Sequence, residues 1–415
     1  MQIIYTKSLC PSEKLNILTI GLDVTPIITS LNKAGYNVYS IDYFGDTDVK
    51  RLCKESFSII TQIEGKSCGR LGDDFNPDKL LQLFYKMLKL HRIDRVLLAS
   101  GLEDFQNILL SINDRVQFIG NKPSNISKVR NKVQFFQTLK RLGITHPQTE
   151  LVQNLQGAKK KAKDIGYPII IKPEKGFGGI GIRKVSDQKQ LTLIFKKYFP
   201  IDQRVLIQEF IPGKAISASL ISTGDKVVTL TVNEQLLGMS SLGQREEFGY
   251  CGNIVPLTSS NELRERCRAI AERVVSTYKL VGSNGVDFVV SDEGIPKVVE
   301  VNPRFQGTLE CVERVLDINL VQAHLDACNL RVLPEIKTIS ESYYTRLILF
   351  ALRRSQVSDL KIYKETRDIP TSRVIVERGE PLCSVIMDGL SREDSLSRAN
   401  SVAKTIYQSL LGIPD

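Results

Sequence analysis

Val298-Val299-Glu300-Val301-Asn302-Pro303-Arg304 follows closely on Gly285-Val286-Asp287-Phe288-Val289-Val290, with Ser291-Asp292-Glu293-Gly294-Ile295-Pro296 between them. Two apolar runs around a turn-rich stretch predict a β-hairpin. A pairing of 290 with 297 and 289 with 298 sets Asp287 directly opposite Glu300, and the period-2 alternation of a strand puts Asn302 on the face of Glu300. Facing carboxylates repel unless a cation lies between them. Hard oxygen ligands with room left for water and phosphate suit magnesium, and manganese accepts the same set. The competing reading is a hairpin with solvated charges on an open face. Val-Val-Glu-Val-Asn-Pro is too apolar for a wholly exposed strand.

A second group of residues has the character of a phosphate site. Gly176-Phe177-Gly178-Gly179-Ile180-Gly181 contains G-x-G-x-x-G, but Ile182-Arg183-Lys184-Val185 after it reads as strand rather than helix, so it is not the dinucleotide fingerprint. Nor does Gly213-Lys214-Ala215 supply the Gly-Lys-Ser/Thr ending of a P-loop. A glycine-rich hairpin can instead fold its backbone N–H groups over phosphates, because glycine permits close approach; the alternative is a plain flexible loop. Lys172, four residues earlier at the end of the apolar run Ile169-Ile170-Ile171, favours the former, since such a lysine needs an anionic partner or a path to solvent. Lys132 falls in the first turn of a helix capped by Asn131. Leu206-Ile207-Gln208-Glu209-Phe210-Ile211-Pro212-Gly213 has the polar-then-apolar texture of an adenine slot and equally of an edge strand. Substrate determinants are expected in Gly238 to Asn253, where Arg245, Glu246, Glu247 and Tyr250 lie between glycines, with Arg245, Glu247 and Tyr250 as the candidate substrate residues; long loops in compact domains are often lids, and the alternative is an ordinary surface loop. Arg245 suits an acidic substrate. Cys251 and Cys311 read as packing residues, and His91, His146 and His324 as structural.

The elements that must hold these residues follow from periodicity. A strand from Leu15 to Val24, a helix stopping at Gly35 and a strand from Asn37 to Phe44 open a β-α-β series, continued by strands at Phe57 to Ile63 and Arg95 to Ala99 and a helix from Asp78 to Leu90. Asp42 ends the second strand near the fingerprint distance from Gly21, but Gly21 stands alone where dinucleotide binding needs three glycines. Helices capped by Asn131 and Asn154 stop at Gly143 and Gly166, with Lys159, Lys160, Lys161 and Lys163 on a solvated face. Strands are expected at Pro168 to Pro173 and Arg204 to Ile211. Near residue 335 the texture changes to strands at Tyr343 to Leu352, Arg373 to Glu377 and Leu382 to Met387, and a closing helix from Ser391 to Leu410. The predicted organisation is a Rossmann-like domain over 1–122, a middle domain over 123–335 (subdomains 123–213 and 214–335) and a small α+β domain over 336–415.

Composition narrows the class. The chain has 415 residues, 42% of them hydrophobic, enough for two or more packed cores. No apolar stretch reaches about 18 residues, so no membrane span is expected, and Met1 to Cys10 lacks the pattern of a secretory leader; both point to the cytoplasm. Eight cysteines, at 10, 53, 68, 251, 267, 311, 328 and 383, are scattered without a Cys-x-x-Cys pair, which reads as reduced thiols. A net charge of +10 raises nucleic acid as a partner, but the basic residues are dispersed and no recognition motif stands out, so small anionic substrates are expected instead.

The order of parts resembles the ATP-grasp superfamily: a lysine at a helix start, a strand lysine with a glycine-rich loop, Gln-Glu-Phe-Ile-Pro-Gly, then Val-Asp-Phe with Glu-Val-Asn-Pro-Arg. The match covers roughly residues 1–335, and 282–307 carry its most specific phrase. It looks closest to the branch with the carbamoyl-phosphate synthetase large chain, biotin carboxylase and the uncharacterised predicted ATP-dependent carboligases of methanogens and related C1-metabolising organisms. The resemblance implies an ATP-grasp fold of two α+β subdomains behind a Rossmann-like domain, and ATP with Mg2+ as cofactors. By the same resemblance Lys132 and Lys172 would touch the α- and β-phosphates, and Gly176, Gly178, Gly179 and Gly181 would close over the β- and γ-phosphates. Gln208, Glu209, Phe210 and Ile211 would line adenine and ribose. Asp287, Glu300 and Asn302 would hold one or two metal ions, and Arg304, with Lys172 and Asn302, would serve phosphoryl transfer. Ala215 departs from the family, many of whose members carry a ribose-binding acid there; ribose contact must come from elsewhere.

The implied chemistry is an ADP-forming ligase that converts a carboxylate into an acyl phosphate for attack by an amine or thiol, with small-molecule substrates, C1-carrier cofactor biosynthesis as a setting and a homodimer as an assembly. One alternative is a bicarbonate-activating carboxylase, which would need a partner protein bearing biotin. The other is an ATP-binding sensor without catalysis.

Overall fold

Short apolar strands alternating with amphipathic helices build a four-stranded parallel sheet at the start of the chain, in the order Glu55–Ser58, Asn37–Asp42, Asn16–Ile20 and Arg95–Leu98. The structure, a computed structural model, describes residues 14–69, 75–199 and 204–414; Met1 to Cys10, with the expectation placed on it, lies outside them. The third strand starts at Glu55, ahead of the expected Phe57, because Glu55 and Ser56 pair with Tyr39 and Ser40. It ends at Ser58, whose hydroxyl turns back to the Ile60 carbonyl at 2.9 Å.

A smaller antiparallel sheet follows, in the order Thr149–Val152, Val205–Glu209, Ile169–Pro173 and Arg183–Val185. The predicted caps hold: Asn131 Oδ1 accepts from the Gln134 amide at 3.1 Å and Asn154 Oδ1 from the Gly157 amide at 2.8 Å. Gly143 and Gly166, at φ +65° and +91°, end the two helices in the backbone region glycine enters freely.

The third sheet has eight strands, in the order Pro296–Asn302, Val281–Ser291, Gly213–Thr223, Val227–Leu237, Tyr250–Val255, Tyr343–Phe350, Pro381–Gly389 and Thr366–Arg367. It runs through residue 335 without a break, because the strands of the last 80 or so residues extend it directly. Ile375–Val376, shorter than expected, joins a separate small sheet with Ser355–Gln356 and Leu411–Gly412.

One face of the late hairpin is core. Val286, Phe288, Val290, Val298 and Val301 pack with Phe135, Phe136 and Leu139 of the helix Lys132–Arg141 and with Val274 and Val275 of the helix Asn261–Thr277. Burial of that face obliges Asp287, Glu300 and Asn302 to point the other way. Phe288 is 1% exposed, and its truncation to alanine would cost about 3–5 kcal/mol. Asn121 ties the hairpin's far end to the first domain: its Nδ2 donates to Asn284 Oδ1 at 2.8 Å and to the Pro303 carbonyl at 3.1 Å, and its Oδ1 accepts from the Val281 amide at 2.8 Å. No helix among the described residues is long and apolar enough to cross a membrane. Cys53, Cys251, Cys267, Cys311 and Cys328 form no disulfide among the described residues.

Candidate active site

The hairpin reaches the predicted pairing by a different register. Val290 pairs with Pro296, Val289 with Lys297 and Phe288 with Val298; a β-bulge then inserts Val299, so that Asp287 meets Glu300 and Gly285 meets Asn302. The expected register from the turn was one residue out. The bulge restores the carboxylate pair, as bulges near functional sites re-aim side chains.

Asp287 Oδ2 accepts from Asn302 Nδ2 at 2.8 Å, and Oδ1 from Gln235 Nε2 at 3.0 Å. Burial and the facing Glu300 push the Asp287 carboxyl up to about 7. Burial alone would raise Glu300 as well, but the Lys132 ammonium at 2.6 Å and the Arg130 guanidinium hold it far below the usual carboxylate range. Arg130 also grips Asp104 with two nitrogens, each at 2.6 Å, and donates to the Gly176 carbonyl at 3.3 Å. Arg304 pairs through Nε with the buried Glu103, and its Nη2 lies 3.4 Å from Asn302 Oδ1. Among the described residues no three His, Cys, Asp or Glu side chains cluster at metal-binding spacing. Two carboxylates and one amide therefore fit a hard cation only if further oxygens, such as phosphate, complete its shell.

The opposing wall is one face of the small sheet. Lys172 Nζ donates to Gln208 Oε1 at 3.1 Å, and Gln208 Nε2 to Thr149 Oγ1 at 2.7 Å. Burial and the neighbouring Lys132 lower the Lys172 ammonium to about 8. Glu209 joins the two walls, pairing with Lys297 Nζ at 3.1 Å and accepting from the Gln148 amide at 3.0 Å. Phe210 lies under Lys184 Nζ, 4.0 Å from the ring centroid; Ile211 and Ala215 are half-buried. A cavity of about 860 Å³ opens between the strands Thr149–Val152 and Val205–Glu209 and the helix Lys132–Arg141, lined by Lys132, Phe136, Thr149, Leu206 and Glu209 among others but not by Lys172, Gln208, Asp287 or Glu300. That is ample for a nucleotide-sized ligand.

The glycine-rich segment forms the predicted turn between Ile169–Pro173 and Arg183–Val185, with Gly178, Gly179 and Gly181 at φ +62°, +79° and +76°. Gly176 donates its N–H to Asp104 Oδ2 at 3.1 Å. The amides of Phe177, Gly178 and Gly179 donate to nothing among the described residues. Successive free N–H groups in a turn form an anion nest. Of the three expected substrate residues only Tyr250 turns inward, accepting from Asn253 Nδ2 at 2.6 Å; Arg245 and Glu247 are exposed.

Several partners were missing from the sequence reading: Glu103, Asp104, Arg130, Gln235 and Arg346. Arg346 is 2% exposed and donates to Asp23 and Asp368 at 3.0 Å each, to Ser384 Oγ at 3.2 Å and to the Gly307 carbonyl at 3.2 Å. A charge inside the apolar run 343–350 was its only local signal. The pairings Asp287 with Ser217, Ser217 with Asn233, Gln235 with Asn253 and Asn253 with Arg346 carry a polar row across one face of the large sheet, from the carboxylate pair to Arg346. Around its far end Asp23 Oδ1, Glu310 Oε2 and Asn253 Oδ1 are buried acceptors, and Arg346 Nε a buried donor, without a hydrogen-bond partner. His324 is structural, as expected: its Nδ1 accepts from the Ser283 amide at 2.8 Å, its Nε2 lies 3.0 Å from the Ile119 carbonyl, and burial lowers it to about 4. Cys251 and Cys311 are buried packing residues.

Residues 129–308 match the family model described as an ATP-grasp domain. An uncharacterised protein of Methanocaldococcus jannaschii is 30% identical over 390 residues, 94% of this chain and 91% of that protein. The arginine-specific carbamoyl phosphate synthase large chain of Bacillus subtilis is 27% identical over 207 residues, 50% of this chain and 20% of that one. Among solved structures, the biotin carboxylase domain of the Hydrogenobacter thermophilus 2-oxoglutarate carboxylase, a dimer in complex with MgADP and bicarbonate, superposes with a TM-score of 0.74 at 17% identity, covering 96% of this chain and 91% of that one.

Proposed function

The chain belongs to the ATP-grasp family, and from that premise we propose that it is an ADP-forming ligase that activates a carboxylate as an acyl phosphate and delivers it to an amine. The observation that carries the reading is the pairing of Asp287 with Glu300, beside Asn302, with the Lys132 and Lys172 ammonium groups near Glu300 and the Phe177 to Gly179 amides of the glycine turn free among the described residues. Asp287, Glu300 and Asn302 are the residues that would hold Mg2+, which would neutralise charge on the ATP phosphates. Lys132 and Lys172 would bind phosphate oxygens as point charges. Phe177, Gly178 and Gly179 would donate backbone N–H groups to the terminal phosphates. Gln208 and the Glu209–Ile211 backbone would address the purine.

Arg304, anchored by Glu103 and directed at Asn302, would stabilise charge on the transferred phosphoryl group. The substrate carboxylate oxygen attacks the γ-phosphorus, ADP leaves, and the amine then displaces phosphate from the acyl carbon. No covalent enzyme intermediate is needed. An ATP sensor would have little use for an arginine fixed in this way.

The choice of an amine over bicarbonate rests on the far end of the polar row. Asp23, Asp368 and Glu310 outnumber Arg346 and Arg367 there, and the unpartnered buried acceptors Asp23 Oδ1, Glu310 Oε2 and Asn253 Oδ1 face a single unpartnered donor, Arg346 Nε. Such a site favours a hydrogen-bond donor or cation over an anion. The test is substrate-dependent release of ADP and phosphate across a panel of acid and amine pairs, with Asp287→Ala and Glu300→Ala as controls. Bicarbonate-dependent turnover without an amine would select the carboxylase reading. AMP and pyrophosphate as products would overturn the mechanism.

A further inference from the structure

Glu246 lies between two exposed neighbours and yet is half-buried, because it reaches the base of the glycine-rich turn. Its carboxylate takes both arms of the Arg183 guanidinium, Nη1 and, at 3.1 Å, Nη2, and accepts the Gly181 amide at 3.3 Å. Four residues on, the Tyr250 amide donates to the Gly178 carbonyl at 3.0 Å. Between these two ties Gly179 lies so close to the Phe248 carbonyl that any Cβ there would collide with it. The glycine-rich turn and the segment 238–250 therefore share one interface, fixed at both ends.

The same segment has a second face. The Tyr250 ring packs on Gly307, where an added Cβ would come within 2.7 Å of the hydroxyl oxygen, and its hydroxyl accepts from Asn253 in the polar row. One short stretch of chain thus touches the glycine-rich turn on one side and the polar row on the other. Glycine-rich turns are costly to order, and a partly buried bidentate Arg–carboxylate pair is strong enough to supply that order.

We propose that Glu246 is a positioning residue: through Arg183 and Gly181 it clasps the phosphate loop to the Tyr250 segment, so that the two substrate sites close as one unit. It holds the Gly181 N–H outward and leaves the Phe177, Gly178 and Gly179 amides facing phosphate. The inference rests on the nucleotide reading above and adds a specific residue and a mechanical link to it.

The test uses the full-length protein and MgADP as the probe, with calorimetry for affinity and hydrogen exchange for the turn. Glu246→Gln is expected to bind MgADP about tenfold more weakly, the factor set by about 1.4 kcal/mol, and to speed amide exchange at Phe177 to Gly179 before any nucleotide is added. The charge-reversed pair Arg183→Glu with Glu246→Arg should recover only part of both, because arginine restores the ion pair but cannot accept the Gly181 N–H. If Glu246→Gln folds poorly, Arg183→Lys, which keeps the charge but gives up the fork, should show the same two effects in milder form. Unchanged affinity and unchanged exchange in a folded Glu246→Gln protein would overturn the proposal while leaving nucleotide binding intact. Failure of the wild-type protein to bind MgADP would instead overturn the nucleotide reading.

Discussion

Replacing Arg130 with methionine should separate stability from catalysis in a way few other substitutions here would. The guanidinium is 8% exposed; it holds Asp104, itself 10% exposed, with two bonds of 2.6 Å, and also contacts Glu300 and the Gly176 carbonyl. Breaking a buried ion pair by removing one partner costs about 3–5 kcal/mol, because the remaining charge is stranded. Asp104 would keep the Gly176 amide and Glu300 would keep Lys132, so the lower end, about 3 kcal/mol, applies. Urea denaturation of the nucleotide-free protein reads this directly.

The double variant Arg130→Met with Asp104→Leu replaces both charges by apolar groups, and such exchanges are often neutral or stabilising. It should regain most of the lost stability. Turnover, measured as ADP release, should stay depressed by about a hundredfold in both variants, the low end of what loss of one preorganised oxyanion-hole donor costs, because Glu300 and the phosphate loop have lost their common anchor. A loss below about 1 kcal/mol in the single variant, or recovery of turnover with stability in the double, would refute this account of Arg130.

Three further outcomes follow from the site's electrostatics and packing. Burial and the nearby Asp368 and Asp46 raise the Asp48 carboxyl to about 7, above its unfolded value, so its contribution to stability is complete below about pH 4 and lost as pH rises through about 7; wild-type stability should fall by on the order of 2 kcal/mol more than that of Asp48→Asn between pH 4 and pH 8, and parallel pH profiles would contradict the placement. Lys172, lowered to about 8 by burial and Lys132, should bind MgADP best while protonated; affinity by calorimetry should decline as pH rises through about 8 in the wild type and stay flat in Lys172→Met. Gly179→Ala should abolish turnover with little change in melting temperature, since the collision with Phe248 displaces a surface turn rather than the core.

What the sequence made legible was mostly local. Asn131 and Asn154 announced their helices because a cap is a contact between near neighbours, and the 285–304 hairpin showed itself by strand period and turn composition. Asp287 and Glu300 were paired correctly from a register that was wrong at Val290, because the bulge at Val299 has no composition of its own. Arg130 and Asp104 were invisible for another reason: their contacts with each other and with Glu300 span 26 and 170 residues, distances over which spacing carries no signal. Glu246 was passed over for Arg245 and Glu247 because three charged residues in a row give no sign of which one the fold turns inward. Arg346 shows the converse, since its pairing partners Asn253 and Ile386 come from distant strands of a sheet whose order no local pattern dictates.

The most direct test of the central claim is a crystal of the wild-type protein grown with ADP and Mn2+, examined by anomalous scattering at the manganese edge. The account predicts a peak about 2.0–2.3 Å from oxygens of Asp287, Glu300 and Asn302, shared with ADP phosphate oxygens, at the bulged end of the hairpin. A peak elsewhere, or ADP bound with Asp287 and Glu300 turned apart and no metal between them, would contradict it.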